Sequence, residues 1–590
     1  MPGLRALLEL RQAWPLSFSA DGSTLLVASD LPGTRQLFLV PARGGELRQV
    51  TDLTEPVDGR LLPDGRLLLM VDEGGNERTQ LYLAEPELGA AREPLAVEPR
   101  FIHGTPHVSR DGSLLAYATN RRNGVDFDVV VRPLGGGAER VFELGGWLGV
   151  ASTSPDGRWV AAHRLGEQSG DADLFLLGVE SGEILHVTPH EAPADYGAPA
   201  WLPDSSGFLA ATSEGRDTLA IGRYDLAAGA WRVVHESQWD LDCLLDDAGC
   251  SLLVAANEDG YSRLELRDPE TLSLRAEVPL PGRGVVEHAV FSRDGSRLAF
   301  AFSSPAAPFD VRVLELGAGS RRRVTRSSEP PELVLPSLHR FASFDGLEVP
   351  VFLFEPDGPG PFPVVVTVHG GPEAQWRPWY SQGMALTQHL VSRGYAVAAP
   401  NVRGSTGYGK RYEHLDDVVQ RLDSVHDLAA LHEWLAGRPK LDAGRAVVYG
   451  RSYGGYMVLA ALAFQPDLWA AGVEFVGISN LVTFLENTSD YRRAAREREY
   501  GSLTRDRAFL EHASPSNAVE SIRAPLFIEH GRNDPRVPVS ESEQIHRLLT
   551  ARGVRCELVV YEDEGHALEK LPNVVDAYER AVAFLDEVLG

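Results

Sequence analysis

Short apolar runs separated by polar turns fill the first half of the chain, and they recur at a regular interval. Seven turns carry an acidic residue that precedes a short apolar strand, as in the runs 25–28 and 298–301. The acidic residues of successive turns lie 43 to 48 positions apart; they are Asp21, Asp64, Asp111, Asp156, Asp204, Asp247 and Asp294. A period of about 40 to 50 residues with several short strands is typical of a β-propeller with one four-stranded blade per repeat. The pattern therefore predicts seven blades over roughly residues 10–320.

A β-sandwich with accidental turn spacing is the alternative fold for this region, but a pair of sandwiches would not keep so regular a period. We interpret the aspartates as turn formers, because their carboxylates accept hydrogen bonds from nearby backbone N–H groups. We assign no metal ion to them.

The pattern changes after residue 337. Apolar runs at 349–354 and 362–368 are followed by strands that alternate with helical stretches, as a doubly wound α/β sheet requires. Near 317–337, the arginine run 321–323 and the prolines at 330 and 331 interrupt any strand, so we expect a solvated linker there. We place the propeller at residues 1–325 and the α/β domain at 326–590. A short amino-terminal segment, about 1–12, is a candidate to pack on the α/β domain.

A serine follows one of the later strands in a sharp turn. The sequence Gly-Arg-Ser-Tyr-Gly-Gly at 450–455 lies between the apolar run 446–449 and a helical pattern at 456–464. In a strand–turn–helix of this kind, a strained backbone raises the serine hydroxyl above the sheet edge, and glycines relieve the crowding. Ser452 is therefore the candidate nucleophile. The alternative interpretation is a tight turn with an idle serine.

Two further candidates follow later strands. Asp534 comes after the apolar run 526–528, and His566 comes after the run 557–561. The chain order Ser452, Asp534, His566 is that of α/β-hydrolases, whose loops at the carboxyl ends of parallel strands bring such side chains together. His566 would remove the serine proton during attack, and Asp534 would fix the imidazole tautomer. The fold class we expect is thus β plus α/β: a seven-bladed β-propeller followed by a doubly wound α/β-hydrolase domain.

Glycines after an earlier strand predict the second half of the site. The apolar run 362–368 leads directly into the sequence His-Gly-Gly-Pro at 369–372. The backbone N–H group of Gly370 or Gly371, together with that of Tyr453, would form an oxyanion hole. His369 itself is expected to be structural. This chemistry requires neither a metal ion nor a cofactor, so we expect none.

The composition of the chain restricts the partners and the cellular location that we expect. The chain has 590 residues, of which 43% are hydrophobic, enough for two sizeable cores. Its formal net charge of −27 disfavours nucleic acid as a partner, because phosphates would be repelled. The three cysteines have no metal-ligand spacing. No apolar run approaches the roughly 18 residues of a membrane span, and the amino terminus lacks a secretory pattern, so we expect a cytoplasmic protein with no membrane partner.

Taken together, the motifs resemble those of the prolyl oligopeptidase family, serine peptidases with a seven-bladed propeller before an α/β-hydrolase domain. The resemblance covers essentially the whole chain and is carried by the sequences at 369–372, 401–409, 450–455, 534–538 and 565–566. Within that family, the His-Gly-Gly-Pro sequence and an arginine two positions after the aspartate, here Arg536, are similar to those of acylaminoacyl peptidases. The resemblance implies a serine exopeptidase that acts on short peptides through an acyl-enzyme and releases N-acylated amino-terminal residues.

Several alternatives stay open. A carboxypeptidase or a broad oligopeptidase of the same family would carry the same motifs, and an esterase or a propeller that binds partner proteins is a further alternative. Arg536 would bind a substrate carbonyl or carboxylate, or pair with a structural acid. By the resemblance, Ile478, Leu481 and Phe484 lie where relatives have an apolar pocket for the residue before the scissile bond, although each could equally be a core residue. The sequence leaves open the oligomeric state, with a homo-oligomer as one alternative, and the state of the propeller gate.

Overall fold

The computed structural model describes residues 3–589 and shows a β-propeller followed by an α/β domain, which confirms the predicted fold class. Seven four-stranded antiparallel sheets form the propeller, each built from one continuous stretch of chain. The strands of the first four blades are β1 (Ala13–Phe18), β2 (Thr24–Ser29), β3 (Gln36–Pro41) and β4 (Arg48–Gln49); β5 (Val57–Leu61), β6 (Leu67–Val71), β7 (Gln80–Ala84) and β8 (Glu93–Ala96); β9 (His103–Val108), β10 (Leu114–Thr119), β11 (Asp128–Pro133) and β12 (Arg140–Phe142); β13 (Leu148–Thr153), β14 (Trp159–Leu165), β15 (Ala172–Gly178) and β16 (Ile184–His186). Those of the last three are β17 (Ala200–Trp201), β18 (Gly207–Thr212), β19 (Ala220–Asp225) and β20 (Ala230–His235); β21 (Leu241–Leu245), β22 (Leu252–Glu258), β23 (Tyr261–Arg267) and β24 (Leu274–Glu277); β25 (Val285–Phe291), β26 (Arg297–Ser304), β27 (Ala307–Glu315) and β28 (Ser320–Arg323).

The predicted turns join the first and second strands of the blades. In the third blade, Asp111 accepts hydrogen bonds from the Ser109 hydroxyl at 2.6 Å and from the Ser113 N–H at 3.0 Å. The carboxylate thus fixes the tight turn, as expected of an aspartate in this position. The ring is linked between the seventh and first blades, where Arg297 Nη1 donates to the carbonyl of Gly22 at 3.1 Å.

The arginine run that we expected in the linker is part of the propeller. Arg321, Arg322 and Arg323 belong to β28, which pairs antiparallel with β27. The outermost strand of a blade exposes one edge to solvent, so it tolerates charged side chains, and Arg323 forms an ion pair with Asp310. The linker expectation is therefore wrong for this run. Residues 324–336 connect the last propeller strand to the next sheet, and the predicted boundary at 325/326 lies within them.

One eight-stranded sheet organises the α/β domain, in the order β29-β30-β32-β31-β33-β34-β35-β36. β30 pairs antiparallel with β29 and with β32, and all other neighbouring strands of the sheet pair in parallel. The strands are β29 (Ser337–Ala342), β30 (Glu348–Phe354), β31 (Phe362–Val368), β32 (Ala396–Pro400), β33 (Leu441–Arg451), β34 (Ala471–Phe475), β35 (Leu526–Gly531) and β36 (Cys556–Tyr561). The helices of the described chain are α1 (Leu4–Leu8), α2 (Gln382–Ser392), α3 (Lys410–Glu413), α4 (Arg421–Ala436), α5 (Tyr453–Phe464), α6 (Leu481–Asn487), α7 (Asp490–Tyr500), α8 (Arg507–His512), α9 (Ser540–Ala551) and α10 (Leu571–Leu589).

Alternating side chains of the central strands build one apolar core on each face of the sheet. Val364, Val366 and Val368 of β31 pack in one core, whereas Val365 packs in the other. Near-continuous apolar runs are typical of parallel strands covered by helices on both faces. The carboxyl ends of these strands meet at one edge of the sheet, where loops place functional side chains.

The short amino-terminal helix packs on the α/β domain. Leu4, Leu7 and Leu8 of α1 are buried in the same core as α2 and α10. The Tyr380 hydroxyl also donates to the carbonyl of Leu7 at 2.9 Å. None of the helices within residues 3–589 is long and apolar enough to cross a membrane.

Candidate active site

Ser452 occupies a strained turn between β33 and α5. Its backbone angles are φ 58° and ψ −119°, which non-glycine residues rarely adopt, and its N–H donates to the carbonyl of Phe475 at 2.9 Å. The glycines after it permit close packing: a Cβ on Gly454 would lie 2.2 Å from the carbonyl oxygen of Val368. The turn therefore has the geometry expected of a nucleophile at the carboxyl edge of the sheet.

Asp534 and His566 meet at this edge. His566 Nδ1 lies 2.7 Å from Asp534 Oδ2, while Asp534 Oδ1 accepts hydrogen bonds from the N–H groups of Arg536 at 2.8 Å and Val537 at 3.0 Å. The aspartate is thus held by its own loop and orients the imidazole with its other oxygen. Within the described residues, Ser452 Oγ makes no hydrogen bond to His566. Such bonds are often long in unliganded enzymes and tighten when substrate binds.

A guanidinium group connects the nucleophile turn to the loop of His566. Arg451, which directly precedes Ser452, donates through Nη2 to the carbonyl of His566 at 2.5 Å. The side chain is part-buried; burial lowers its pKa, but the nearby Glu529 carboxylate raises it above the ordinary value. Arg451 therefore fixes the imidazole-bearing loop relative to Ser452.

The electrostatics of the pair suit a general base. Burial lowers the pKa of His566, and the guanidinium groups of Arg536 and Arg451 lower it further, against the raising effect of Asp534. Burial would raise the pKa of Asp534, but His566 and His530 bring it well below its ordinary value. The arrangement at neutral pH is accordingly a neutral imidazole beside an ionised carboxylate.

His530 is a further histidine at the site. It is fully buried, with Nδ1 2.7 Å from the Ser542 hydroxyl and Nε2 2.9 Å from the carbonyl of Val537. Its Nε2 also lies 3.5 Å from Asp534 Oδ2. His530 and His566 thus lie next to the same oxygen of Asp534.

The oxyanion elements lie beside Ser452. A Cβ on Gly370 would come within 3.4 Å of Ser452 Cβ, so the His-Gly-Gly-Pro loop contacts the nucleophile directly. Within residues 3–589, the N–H groups of Gly370, Gly371 and Tyr453 donate no hydrogen bond, which leaves them available to an oxyanion. His369 holds this loop: Nδ1 lies 2.7 Å from the carbonyl of Gly370, and burial lowers the pKa of the ring to about 4.

Arg536 is held by an acid from the propeller. Its Nε donates to Glu77 Oε1 at 2.6 Å, and the other oxygen of Glu77 lies 3.1 Å from Arg492 Nη1. Glu77 sits in the loop between β6 and β7 with a positive φ of 56°, and its N–H donates to Asp72 at 2.9 Å. The Glu77 carboxylate therefore binds two guanidinium groups. The Nη groups of Arg536 make no hydrogen bond within the described part of the chain, and its side chain is 44% exposed.

The predicted pocket residues are deeply buried. Ile478, Leu481 and Phe484 are 2, 0 and 2% exposed and belong to the core that also contains Tyr453 and Tyr456. In this structure they pack as core residues, and a role in a substrate pocket stays a prediction. Within residues 3–589, no group of three or more His, Cys, Asp or Glu side chains is arranged to hold a metal ion.

The sequence of this chain is similar to those of known peptidases. Residues 381–590 match the sequence model described as "Prolyl oligopeptidase family". The dipeptidyl aminopeptidase BIII of Pseudoxanthomonas mexicana is 28% identical over 604 residues, which covers 98% of this chain and 86% of the relative. The acylamino-acid-releasing enzyme of Sus scrofa is 28% identical over 321 residues, covering 50% of this chain and 43% of that enzyme.

Solved structures share the whole architecture. A puromycin-hydrolysing peptidase of Mycobacterium tuberculosis superimposes with a TM-score of 0.87 at 21% identity, covering 100% of this chain and 96% of that one. At this identity the likeness establishes the fold alone. The sequence match over residues 381–590 places the α/β domain in the prolyl oligopeptidase family, and the site described above is that of a serine peptidase.

Proposed function

We propose that this peptidase is an exopeptidase that releases N-acylated residues from the amino end of short peptides, with Ser452, His566 and Asp534 as its catalytic triad. The observation that carries the proposal is the state of Arg536. Glu77 binds it through Nε and so fixes the plane of the guanidinium group, while both Nη groups stay free within the described residues. A planar, oriented donor pair suits the carbonyl of an acyl cap, which precedes the residue at the scissile bond.

The proposed reaction uses the groups described above in two steps. Ser452 Oγ attacks the scissile carbonyl as His566 takes its proton, and the N–H groups of Tyr453 and Gly371 or Gly370 stabilise the oxyanion. The imidazolium then protonates the leaving amine, so the peptide bond breaks and an acyl-enzyme remains. Water attacks this ester with His566 again as base. The acylated amino acid leaves and Ser452 regains its proton.

The acid next to Arg536 also bears on which end of a peptide is recognised. A free α-ammonium group needs a carboxylate that is not already committed to another cation. Glu77 is shared by Arg536 and Arg492, so this part of the site offers excess positive charge rather than a vacant anion. That charge balance supports a blocked amino end over a free one.

A second candidate is a dipeptidyl aminopeptidase, because that activity is in the name of the Pseudoxanthomonas mexicana relative. In that case Glu77 would exchange one of its arginines for the substrate ammonium. A carboxypeptidase that holds the terminal carboxylate on Arg536 is the alternative with the opposite end preference.

The test is mass spectrometry of one short peptide after digestion, with its amino end free or acetylated and its carboxyl end free or amidated. Ser452→Ala serves as the control for background cleavage. The proposal predicts release of the acetylated first residue from both acetylated peptides and little cleavage of the unblocked ones. Release of a free dipeptide would favour the second candidate. Loss of the last residue only when the carboxylate is free would make the enzyme a carboxypeptidase.

A further inference from the structure

A separate cavity of about 280 Å³ lies where blades 1, 2 and 7 face the α/β domain. It lies between the inner strands of these blades and the segment 379–381 that precedes α2. The side chains that decide its chemistry are Trp14, Arg35, Asp58, Glu287, Phe309 and Trp379. None of them belongs to the triad, the oxyanion loop or the Arg536 cluster.

Three aromatic rings form one wall of this cavity. The ring centroids of Trp14 and Phe309 are 5.8 Å apart, and those of Phe309 and Trp379 are 6.1 Å apart. The row joins both domains, because Trp379 comes from the α/β domain and the other two from the propeller. Such a wall suits an apolar side chain and also attracts a cation placed over a ring face.

Charged side chains of both signs line the same cavity, and none of them forms an ion pair within residues 3–589. Within residues 3–589, the guanidinium group of Arg35 makes no hydrogen bond or ion pair, and its Nε is buried without a partner. The Glu287 carboxylate likewise accepts no hydrogen bond in the described chain; burial raises its pKa, while Arg377 lowers it. Asp58 accepts a hydrogen bond only from the next N–H, that of Gly59, at 2.7 Å.

These charged side chains are half-buried and leave donors and acceptors available to a ligand of matching charges. Buried polar atoms are normally hydrogen-bonded, and Arg35 Nε is one that has no partner within residues 3–589. Here a cation and two anions line one cavity but do not pair with each other. His288 is the remaining titratable group of the lining, and burial lowers its pKa, so it adds no positive charge at neutral pH.

A second cavity of about 140 Å³ adjoins the first. It shares Trp14 and Arg35 with the first and extends to Glu569 and Leu571, which follow the loop of His566. The proposed site is therefore bordered by a second space at the same domain interface.

We propose that this cavity binds a zwitterionic amino acid or dipeptide. Arg35 would hold its carboxylate, Glu287 with Asp58 would hold its ammonium group, and Trp14, Phe309 and Trp379 would contact its side chain. A cavity of about 280 Å³ has room for such a ligand. Cleavage of a peptide bond leaves a fragment with a free amino end, which also carries the peptide's free carboxylate, so this would be a product-binding site beyond the catalytic centre. The inference does not depend on which peptide end the enzyme recognises.

The test is a calorimetric titration of the Ser452→Ala protein with phenylalanine, alongside quenching of tryptophan fluorescence. We expect one saturable site. Phenylalanine amide and N-acetylphenylalanine each lack one charge, so each should bind about tenfold or more weakly. Binding should persist in wild-type protein whose Ser452 has been blocked by a fluorophosphonate.

Two variants assign the site. Arg35→Gln and Glu287→Gln should each weaken phenylalanine binding about tenfold or more. The matched control substitutions Arg43→Gln and Glu46→Gln remove the same charges at exposed positions of the first blade and should leave binding unchanged. The proposal is overturned if no saturable binding occurs, if the two blocked analogues bind as well as phenylalanine, or if the fluorophosphonate abolishes binding. The comparison of phenylalanine with its two blocked analogues tests the proposal even if a variant does not fold.

Discussion

Replacing Glu77 with glutamine is expected to weaken cleavage of an acetylated peptide, mainly through KM. The Glu77 carboxylate lies 2.6 Å from Arg536 Nε and 3.1 Å from Arg492 Nη1. Glu77→Gln removes the charge of this side chain and keeps its shape. Arg492 is 8% exposed, so its lost partner costs about 1–2 kcal/mol of folding free energy. Arg536 is 44% exposed, so solvent screens its pair and the loss there is at most about 1 kcal/mol.

The catalytic effect comes from the orientation of Arg536 rather than from the stability of the pair. A hydrogen bond from a charged donor to a substrate carbonyl contributes about 1.5–3 kcal/mol, so a disoriented guanidinium group lowers kcat/KM by roughly 10- to 100-fold. The contact is made to a carbonyl remote from the reacting bond, so it stabilises substrate and transition state alike. KM should therefore rise while kcat changes little.

The assay is steady-state kinetics on acetylated and free-amine forms of one peptide, with Glu73→Gln as the control. Glu73 lies in the same loop, is exposed and forms no ion pair in residues 3–589, so its substitution removes the same charge without touching Arg536. If Glu77→Gln stays within about twofold of wild type on the acetylated peptide, the assigned role of Glu77 is wrong. Loss of cleavage confined to the free-amine peptide would instead identify Glu77 as an ammonium-binding residue and favour the dipeptidyl aminopeptidase.

Four further predictions concern the catalytic groups. Asp534→Asn should lower kcat by about 10⁴-fold with little loss of folding, since the amide still fills the site but favours the wrong tautomer of His566; stopped assays and circular dichroism check this. Because burial, Arg536 and Arg451 lower the pKa of His566 and activity requires its neutral form, the acid limb of kcat/KM against pH should have its midpoint below about 6.5. Arg451→Gln should move that midpoint upward, because one nearby positive charge is removed, and should reduce kcat; an unchanged midpoint would contradict the role given to Arg451. Gly371→Ala should lower kcat about 10- to 1,000-fold, because φ is 142° and the new Cβ would lie 2.9 Å from the N–H nitrogen of the residue two positions later; a full rate would remove this loop from the oxyanion hole.

Much of the fold and the catalytic triad could be predicted from short stretches of the sequence. The acidic turns recur because six blades repeat one local solution, in which an aspartate accepts a hydrogen bond from the N–H group two residues later. In the sixth blade Asp246, the neighbour of the predicted Asp247, accepts the bond within the turn. Ser452, Asp534 and His566 each follow an apolar run, so their position at one sheet edge follows from parallel pairing alone. The arginines of β28 misled the prediction because an outer strand needs no apolar face.

Long-range partners could not be predicted in the same way. Glu77 and Arg536 lie 459 positions apart, and no motif around Glu77 distinguishes it from other acids of the propeller. The contact of His530 with Asp534 could not be predicted, because it depends on how the loop after β35 turns back. Ile478, Leu481 and Phe484 could not be sorted into core or pocket from the sequence, since both environments select apolar side chains.

The most direct test of the central claim is intact-protein mass spectrometry after reaction with a fluorophosphonate, comparing wild type with Ser452→Ala. The account predicts one covalent adduct on folded wild-type protein, located on Ser452 by peptide mapping, and none on the variant. It also predicts that Asp534→Asn slows formation of the adduct severely. A folded wild-type protein that stays unlabelled, or an adduct on another residue, would contradict the claim that Ser452 is the nucleophile of this peptidase.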